Sequence, residues 1–267
     1  MKIPCEIVRI IYNMMRESKV RSHMDRESVG YRPIQRIDFP KPIGININMM
    51  PIDIYDPKSL PENLKQYNLM IWFSCRHRVA DYNKLKHIVY LTVHEELIPV
   101  GLSQRRPGVH IEQPNNILSG GNVITDQNSK TYKNLAWGLG CWGDDEIPVD
   151  GIVMATNIER SCRIWDMTIT KPQDLTDKHG GLEECREYFG DGDYLPTDTL
   201  VWFTDRTPHE SLPLEAPKDD PKATHVYRQF FRLVLGDISV WFSKHHTPNP
   251  TGTLPDAPIV DVDKFAA

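Results

Sequence analysis

No stretch of this chain approaches the roughly 18 uninterrupted apolar residues that a membrane-spanning helix needs, which argues against an integral membrane protein. Cysteine is scarce: five in 267 residues, an odd number and too few for a disulfide-stapled secreted scaffold. Cys141, Cys162 and Cys185 lack the Cys-x-x-Cys spacing of a zinc knuckle. The opening patch Ile7-Val8-Arg9-Ile10-Ile11-Tyr12 lies among Glu6, Arg16 and Glu17, without a clean apolar segment or a small-residue cleavage site. An amphipathic helix over residues 1–18 is expected rather than an export signal, and with it a reducing, cytoplasmic setting. Glycine-rich phosphate loops, Gly-x-Ser-x-Gly elbows, internal repeats and low-complexity blocks are also missing.

Basic runs are missing too. The net charge of −5 is unevenly placed: residues 1–110 hold 17 Lys and Arg against 11 Asp and Glu, and the remainder 14 against 25. Neither part carries the clustered cations of a nucleic-acid surface. Nucleic acid and membrane are therefore not expected partners, and oligomeric state is left open.

What the chain does have is a strand pattern. Residues 43–48 (Ile-Gly-Ile-Asn-Ile-Asn) alternate apolar and polar, Ser59-Leu60-Pro61-Glu62 resembles a capping box, and Leu69–Phe73 reads as a buried strand. From His87 onward β-branched and aromatic runs recur: His87–His94, Gly151–Thr156, Cys162–Ile169, Thr199–Phe203 and Tyr227–Phe242, the last interrupted near Gly236-Asp237. A short helix is expected from Leu182 to Phe189. Twenty-one prolines suit a loop-rich β fold better than a helical bundle. The expectation is one domain, mainly β with flanking helices. Residues 1–86 form a helical and extended N-terminal extension, 87–243 a β-barrel core, and 244–267 a C-terminal strap.

Three features could carry chemistry. His110 and Glu112 are two apart, so on a strand they share a face and could supply two ligands to a divalent metal. A surface histidine beside a glutamate gives the same spacing. His209 follows the strand Thr199–Phe203 on a proline turn and could supply the third ligand, or be an ordinary turn histidine. Arg228 and Arg232, four apart in an apolar strand, share a face; if buried, their guanidiniums call for anionic partners and a dicarboxylate offers one, whereas on an exposed edge strand they make ordinary salt bridges. Other candidates are Arg105 and Arg106 for an anionic substrate group, Asp166 as a support for a ligand histidine, Gly120-Gly121-Asn122 at a substrate entrance, and His245-His246 as an exposed pair at the start of the tail.

Together, the His-x-Glu pair, the distal His209 and the Arg-x-x-x-Arg strand resemble the iron(II)/2-oxoglutarate-dependent oxygenases over roughly residues 87–243. The section from His209-Glu210-Ser211-Leu212-Pro213 to Arg228 resembles the phytanoyl-hydroxylase and prolyl-hydroxylase branches. The acid is Glu112 where Asp is more usual, and the 19 residues from His209 to Arg228 exceed the family's ten or so, so residues 215–224 would loop out. The resemblance implies a double-stranded β-helix, a jelly-roll barrel. It implies iron(II) held by His110, Glu112 and His209, and 2-oxoglutarate held by Arg228 first and Arg232 second. It implies an oxidoreductase, a dioxygenase that consumes molecular oxygen, releases succinate and carbon dioxide, and hydroxylates a small molecule or a protein side chain. Two other readings stand beside it: a non-catalytic jelly-roll binding or structural module, and a cupin-type metal isomerase or epimerase.

Overall fold

Alternating apolar residues direct most of the chain into antiparallel strands. The computed structural model describes residues 5–79, 87–112, 124–125, 131–132, 136–143, 147–177 and 179–262. The principal strands are β1 (Tyr31–Arg36), β2 (Asn46–Asp53), β3 (Ile88–Pro99), β4 (Ile152–Thr156), β5 (Cys162–Ile164), β6 (Asp193–Tyr194), β7 (Thr199–Phe203), β8 (His209–Ser211), β9 (His225–Val234), β10 (Trp241–Phe242) and β11 (Ile259–Val260). Two helices, α1 (Cys5–Ser22) and α2 (Asn68–Val79), accompany them. The fold is mainly β with flanking helices, as expected.

Six strands form one antiparallel sheet in the order β1-β7-β4-β9-β3-β2, and three form a smaller one in the order β6-β5-β8. The first 86 residues supply β1 and β2, so the large sheet is not confined to residues 87–243.

Strand β9 shows how the layers form. Phe231 and Leu233 point to one face and pack with Tyr67, Met70 and Ile71 from the α2 region. Phe230 and Val234 point to the other and pack with Cys162 and Ile164 of the small sheet. Full burial of a side chain such as Phe231 is worth about 1.5–3 kcal/mol. Arg228 and Arg232 share the second face, between the sheets, because side chains alternate along a strand.

Several expectations are corrected. Leu69–Phe73 belongs to α2 rather than to a strand: Met70, Ile71, Ser74 and Cys75 are buried while Leu69 and Trp72 are exposed, a helical spacing. The capping box does not form. Ser59 Oγ instead accepts from Asp53 N (3.0 Å) and donates to Asp53 O (2.9 Å), and 3₁₀ turns occupy Pro57–Ser59 and Glu62–Tyr67. The run Cys162–Ile169 is split into β5 and a two-residue strand Thr168–Ile169 paired with Met24–Asp25. The segment from Leu182 is a 3₁₀ helix, Glu183–Tyr188. Beyond β10 the chain crosses β2, where Asn249 Nδ2 donates to Pro51 O (2.8 Å) and Ser59 O (2.7 Å).

Candidate functional site

His110 and His209 are brought together by the backbone. His110 N donates to His209 O (3.0 Å) and His209 N to His110 O (2.9 Å), an antiparallel bridge that extends the small sheet beyond β8. Directly opposed residues put their side chains on one face, and the two imidazole centroids lie 4.5 Å apart. Each ring is fixed in the same way. His110 Nδ1 lies 2.7 Å from Gly108 O, and His209 Nδ1 lies 2.9 Å from Thr207 O. A carbonyl can only accept, so both Nδ1 atoms carry a proton and both Nε2 atoms are turned away from these carbonyls. Gly108 makes this possible with a φ of +79°, a conformation that suits glycine. Burial, and then the neighbouring His209, hold the His110 imidazole well below the usual histidine range, so it is neutral.

Glu112 adjoins this pair. Its Oε1 lies 3.7 Å from His209 Nε2, and the same oxygen accepts a charged hydrogen bond from Arg232 Nη1. Two ligand atoms at right angles on a first-row metal lie about 3 Å apart, given metal–ligand bonds near 2.1 Å. The donor set therefore fits a divalent metal: two imidazoles anchored through Nδ1 and one carboxylate. Among the described residues no group of three His, Cys, Asp or Glu is preassembled as a metal cluster. The carboxylate is drawn toward Arg232.

The arginines divide their roles. Arg228 is fully buried. It donates from Nε to Thr156 Oγ1 (3.2 Å), from Nη1 to Ser211 Oγ (3.2 Å) and from Nη2 to Cys162 Sγ (3.1 Å), all neutral acceptors. Arg232 is held by Glu112, which changes its expected role as an alternative co-substrate anchor. Arg105 Nη1 lies 2.8 Å from His94 Nε2. Arg106 turns instead to His179 O (2.7 Å) and Asp177 (4.0 Å). A cavity of about 260 Å³ joins these groups, lined by Gln104, Arg105, His110, Glu112, His209, Ser211 and Arg232 among others. Arg228 lies just behind its wall, against the lining residues Ser211, Cys162 and Phe230.

Other expectations change. Asp166 accepts from Gly30 N (2.8 Å) and pairs with Arg32 (2.8 Å) rather than supporting a histidine. His246 is not exposed; it is buried, accepts from Phe242 N at Nδ1 (3.1 Å) and lines the cavity with His245. Gly120-Gly121-Asn122 lies outside the described residues. Three residues of the site escaped the sequence reading: Ser211, His94 and Gln104. Ser211 stands two positions after His209 and His94 two after Thr92 on β3, so strand alternation alone places both on the inner face.

No protein-family model matches this chain, and no curated protein matches it. Among solved structures, it is similar to one titled CytC3, with 14% identity over 81% of this chain and 77% of that chain and a TM-score of 0.33. A likeness at that level carries no argument about this chain.

Proposed function

We propose that the protein is an iron(II)- and 2-oxoglutarate-dependent oxygenase on a double-stranded β-helix, the six-stranded and three-stranded sheets being its two facing halves. One observation carries the reading. Two imidazoles, each with Nδ1 tied to a carbonyl, stand side by side across a bridge, with a carboxylate next to them. His110, His209 and Glu112 would hold the metal on one face and leave positions open for oxygen and an organic acid. The metal would supply oxygenase chemistry in which molecular oxygen is the oxidant: one oxygen atom would end in the substrate C–OH and the other in the succinate formed from 2-oxoglutarate, with release of carbon dioxide.

The chain's own residues do the rest. Arg228 is a buried cation with neutral partners, which costs several kcal/mol of desolvation on the usual scale and favours an incoming carboxylate. Ser211 Oγ, on the cavity side of Arg228, adds a donor for the same group. Arg232 holds the Glu112 carboxylate in reach of His209. Trp137, Phe230 and Met154 give the same cavity an apolar wall. The substrate is a small molecule or a protein side chain.

The test is iron uptake and succinate release from 2-oxoglutarate in wild type and in His110→Ala. Wild type takes up ferrous iron and releases succinate; loss of a ligand lowers the release by about 100-fold or more. Equal release from both proteins sinks the reading. A wild type that takes up no iron leaves the cavity as the pocket of a binding module.

A further inference from the structure

We propose that Arg105, with His94 and Gln104 beside it, forms a second anion subsite that takes a carboxylate of the substrate. The assignment of the two anions rests on the oxygenase reading, which gives the Arg228–Ser211 pair to 2-oxoglutarate.

The inner face of the large sheet has more cations than anions. Four guanidiniums, Arg105, Arg106, Arg228 and Arg232, stand at or just behind the cavity wall, against two carboxylates, Glu112 and Glu210, and Glu210 is already paired with Arg186. The Glu112 carboxylate is taken by Arg232. Among the described residues neither Arg105 nor Arg228 has a carboxylate within 4.0 Å. One dicarboxylate engaged through its distal end at Arg228 leaves Arg105 unmatched.

Arg105 is placed to bind rather than to brace. Its only polar protein partner among the described residues is the His94 imidazole, whose Nε2 accepts from Nη1. Burial, then Arg105 and Arg232, push His94 down to about 3, so that ring is neutral and offers no counter-charge. Burial, then Arg232, likewise bring Arg105 down to about 9, the direction an incoming anion would reverse. The Arg105 Cζ lies 5.3 Å from the centre of the Phe230 ring, and Arg228 Cζ lies 5.4 Å from the same ring. Two cations thus share one aromatic neighbour and belong to adjacent subsites.

Gln104 supplies the independent observation. Its Nε2 and Oε1 are both shut off from solvent and, among the described residues, have no hydrogen-bond partner, although the residue lines the cavity. A buried unmatched amide in a native fold calls for an explanation, and a polar ligand is one. A carboxylate suits the site better than a phosphate. The guanidinium fork matches a planar carboxylate two-to-two, and Arg106, the next cation along the chain, is already turned to His179 O and Asp177. The substrate class is accordingly a small carboxylic acid.

The test is thermal denaturation of the full chain with manganese(II) present, with and without saturating 2-oxoglutarate. Sodium propionate is titrated as the carboxylate probe at constant ionic strength. Propionate raises the wild-type melting temperature in both conditions. Arg105→Gln weakens propionate about tenfold or more, the worth of one charge-assisted hydrogen bond, and keeps the 2-oxoglutarate shift. Arg228→Met does the reverse. Arg105→Lys, which keeps the charge without the fork, falls between wild type and Arg105→Gln and carries the test if the latter does not fold. The proposal falls if propionate shifts nothing in wild type, if Arg105→Gln retains the whole propionate shift, or if it loses the 2-oxoglutarate shift as well. A larger Arg105-dependent shift with inorganic phosphate overturns the carboxylate assignment. A wild type that responds to propionate through Arg105 but never to 2-oxoglutarate removes the oxygenase reading and leaves the subsite standing.

Discussion

On the outer face of β3 and β9, Glu95 accepts from Tyr67 Oη (2.7 Å), Gln229 Nε2 (3.3 Å), Ile43 N (2.8 Å) and Ile45 N (2.8 Å). On the inner face of the same two strands, Arg228 and His94 belong to a group in which cations exceed anions and, among the described residues, the Gln104 amide has no partner. Glu95 and Arg228 are buried, His94 and Gln104 are partly buried, and His94 directly precedes Glu95 along the chain. The outer cluster is closed: a carboxylate meets four donors and needs nothing further. The inner one is open: its surplus charge is positive, and among the described residues both ends of the Gln104 amide lack a partner. Buried polar groups are costly unless matched. A closed cluster is therefore architecture, whereas an open one that borders a cavity marks a place for a ligand.

The sharpest way to break this contrast is Glu95→Ala. It takes the acceptor from Tyr67 Oη and from two backbone N–H groups, while Gln229 Nε2 keeps Pro40 O, and costs about 3 kcal/mol or more in urea denaturation. A loss below about 1 kcal/mol would mean that the outer cluster holds nothing together. The next effect is on pH dependence. His94 is held at about 3 in the folded protein, against an ordinary value of 6.5. Its contribution is complete above 6.5 and is lost as pH falls toward 3, because the unfolded chain takes up a proton that the folded one refuses. From pH 7 to pH 5, wild type therefore loses about 2 kcal/mol relative to His94→Gln. Parallel stability profiles for the two proteins would show that the imidazole is not held neutral. The smallest effect has the opposite sign. Arg228→Met removes a buried cation with no acidic partner and gains about 1 kcal/mol or leaves stability unchanged. A loss beyond about 2 kcal/mol would place Arg228 with Glu95 as architecture.

How much of this was readable in the sequence depends on how local each signal is. The strands Thr199–Phe203 and Gly151–Thr156 and the break near Gly236 announce themselves through alternation and turn residues, and all appear in the structure. Leu69–Phe73 misleads because five apolar residues in a row carry no period; only the continuation through Ser74 and Cys75 reveals a helix. The two histidines and Glu112 can be named from residue type and flanking turns, and the fold brings them together. The role of Arg232 could not be read, since its neutralisation by Glu112 depends on a contact 120 residues away in sequence. The inner face of β3 was within reach but passed over: alternation from Tyr90 through Thr92 leads straight to His94. The closed outer cluster was hidden because Tyr67 and Glu95 lie on different elements and neither stands out in composition.

The bridge between His110 and His209 has a consequence for how this protein can vary. Two reciprocal peptide bonds clasp the rings side by side, and each ring is steadied by a carbonyl two residues earlier in its own strand. Of the ninety-eight residues in between, that clasp uses Thr207, whose carbonyl steadies His209, and Gly181, which bridges His110 on its other side. The other loops there can lengthen, shorten or be exchanged wholesale without altering how far one imidazole stands from the other. A shift of a single position within the clasp turns one ring to the opposite side. The spacing is digital where it matters and free everywhere else, so new entrances can be fashioned around a fixed pair.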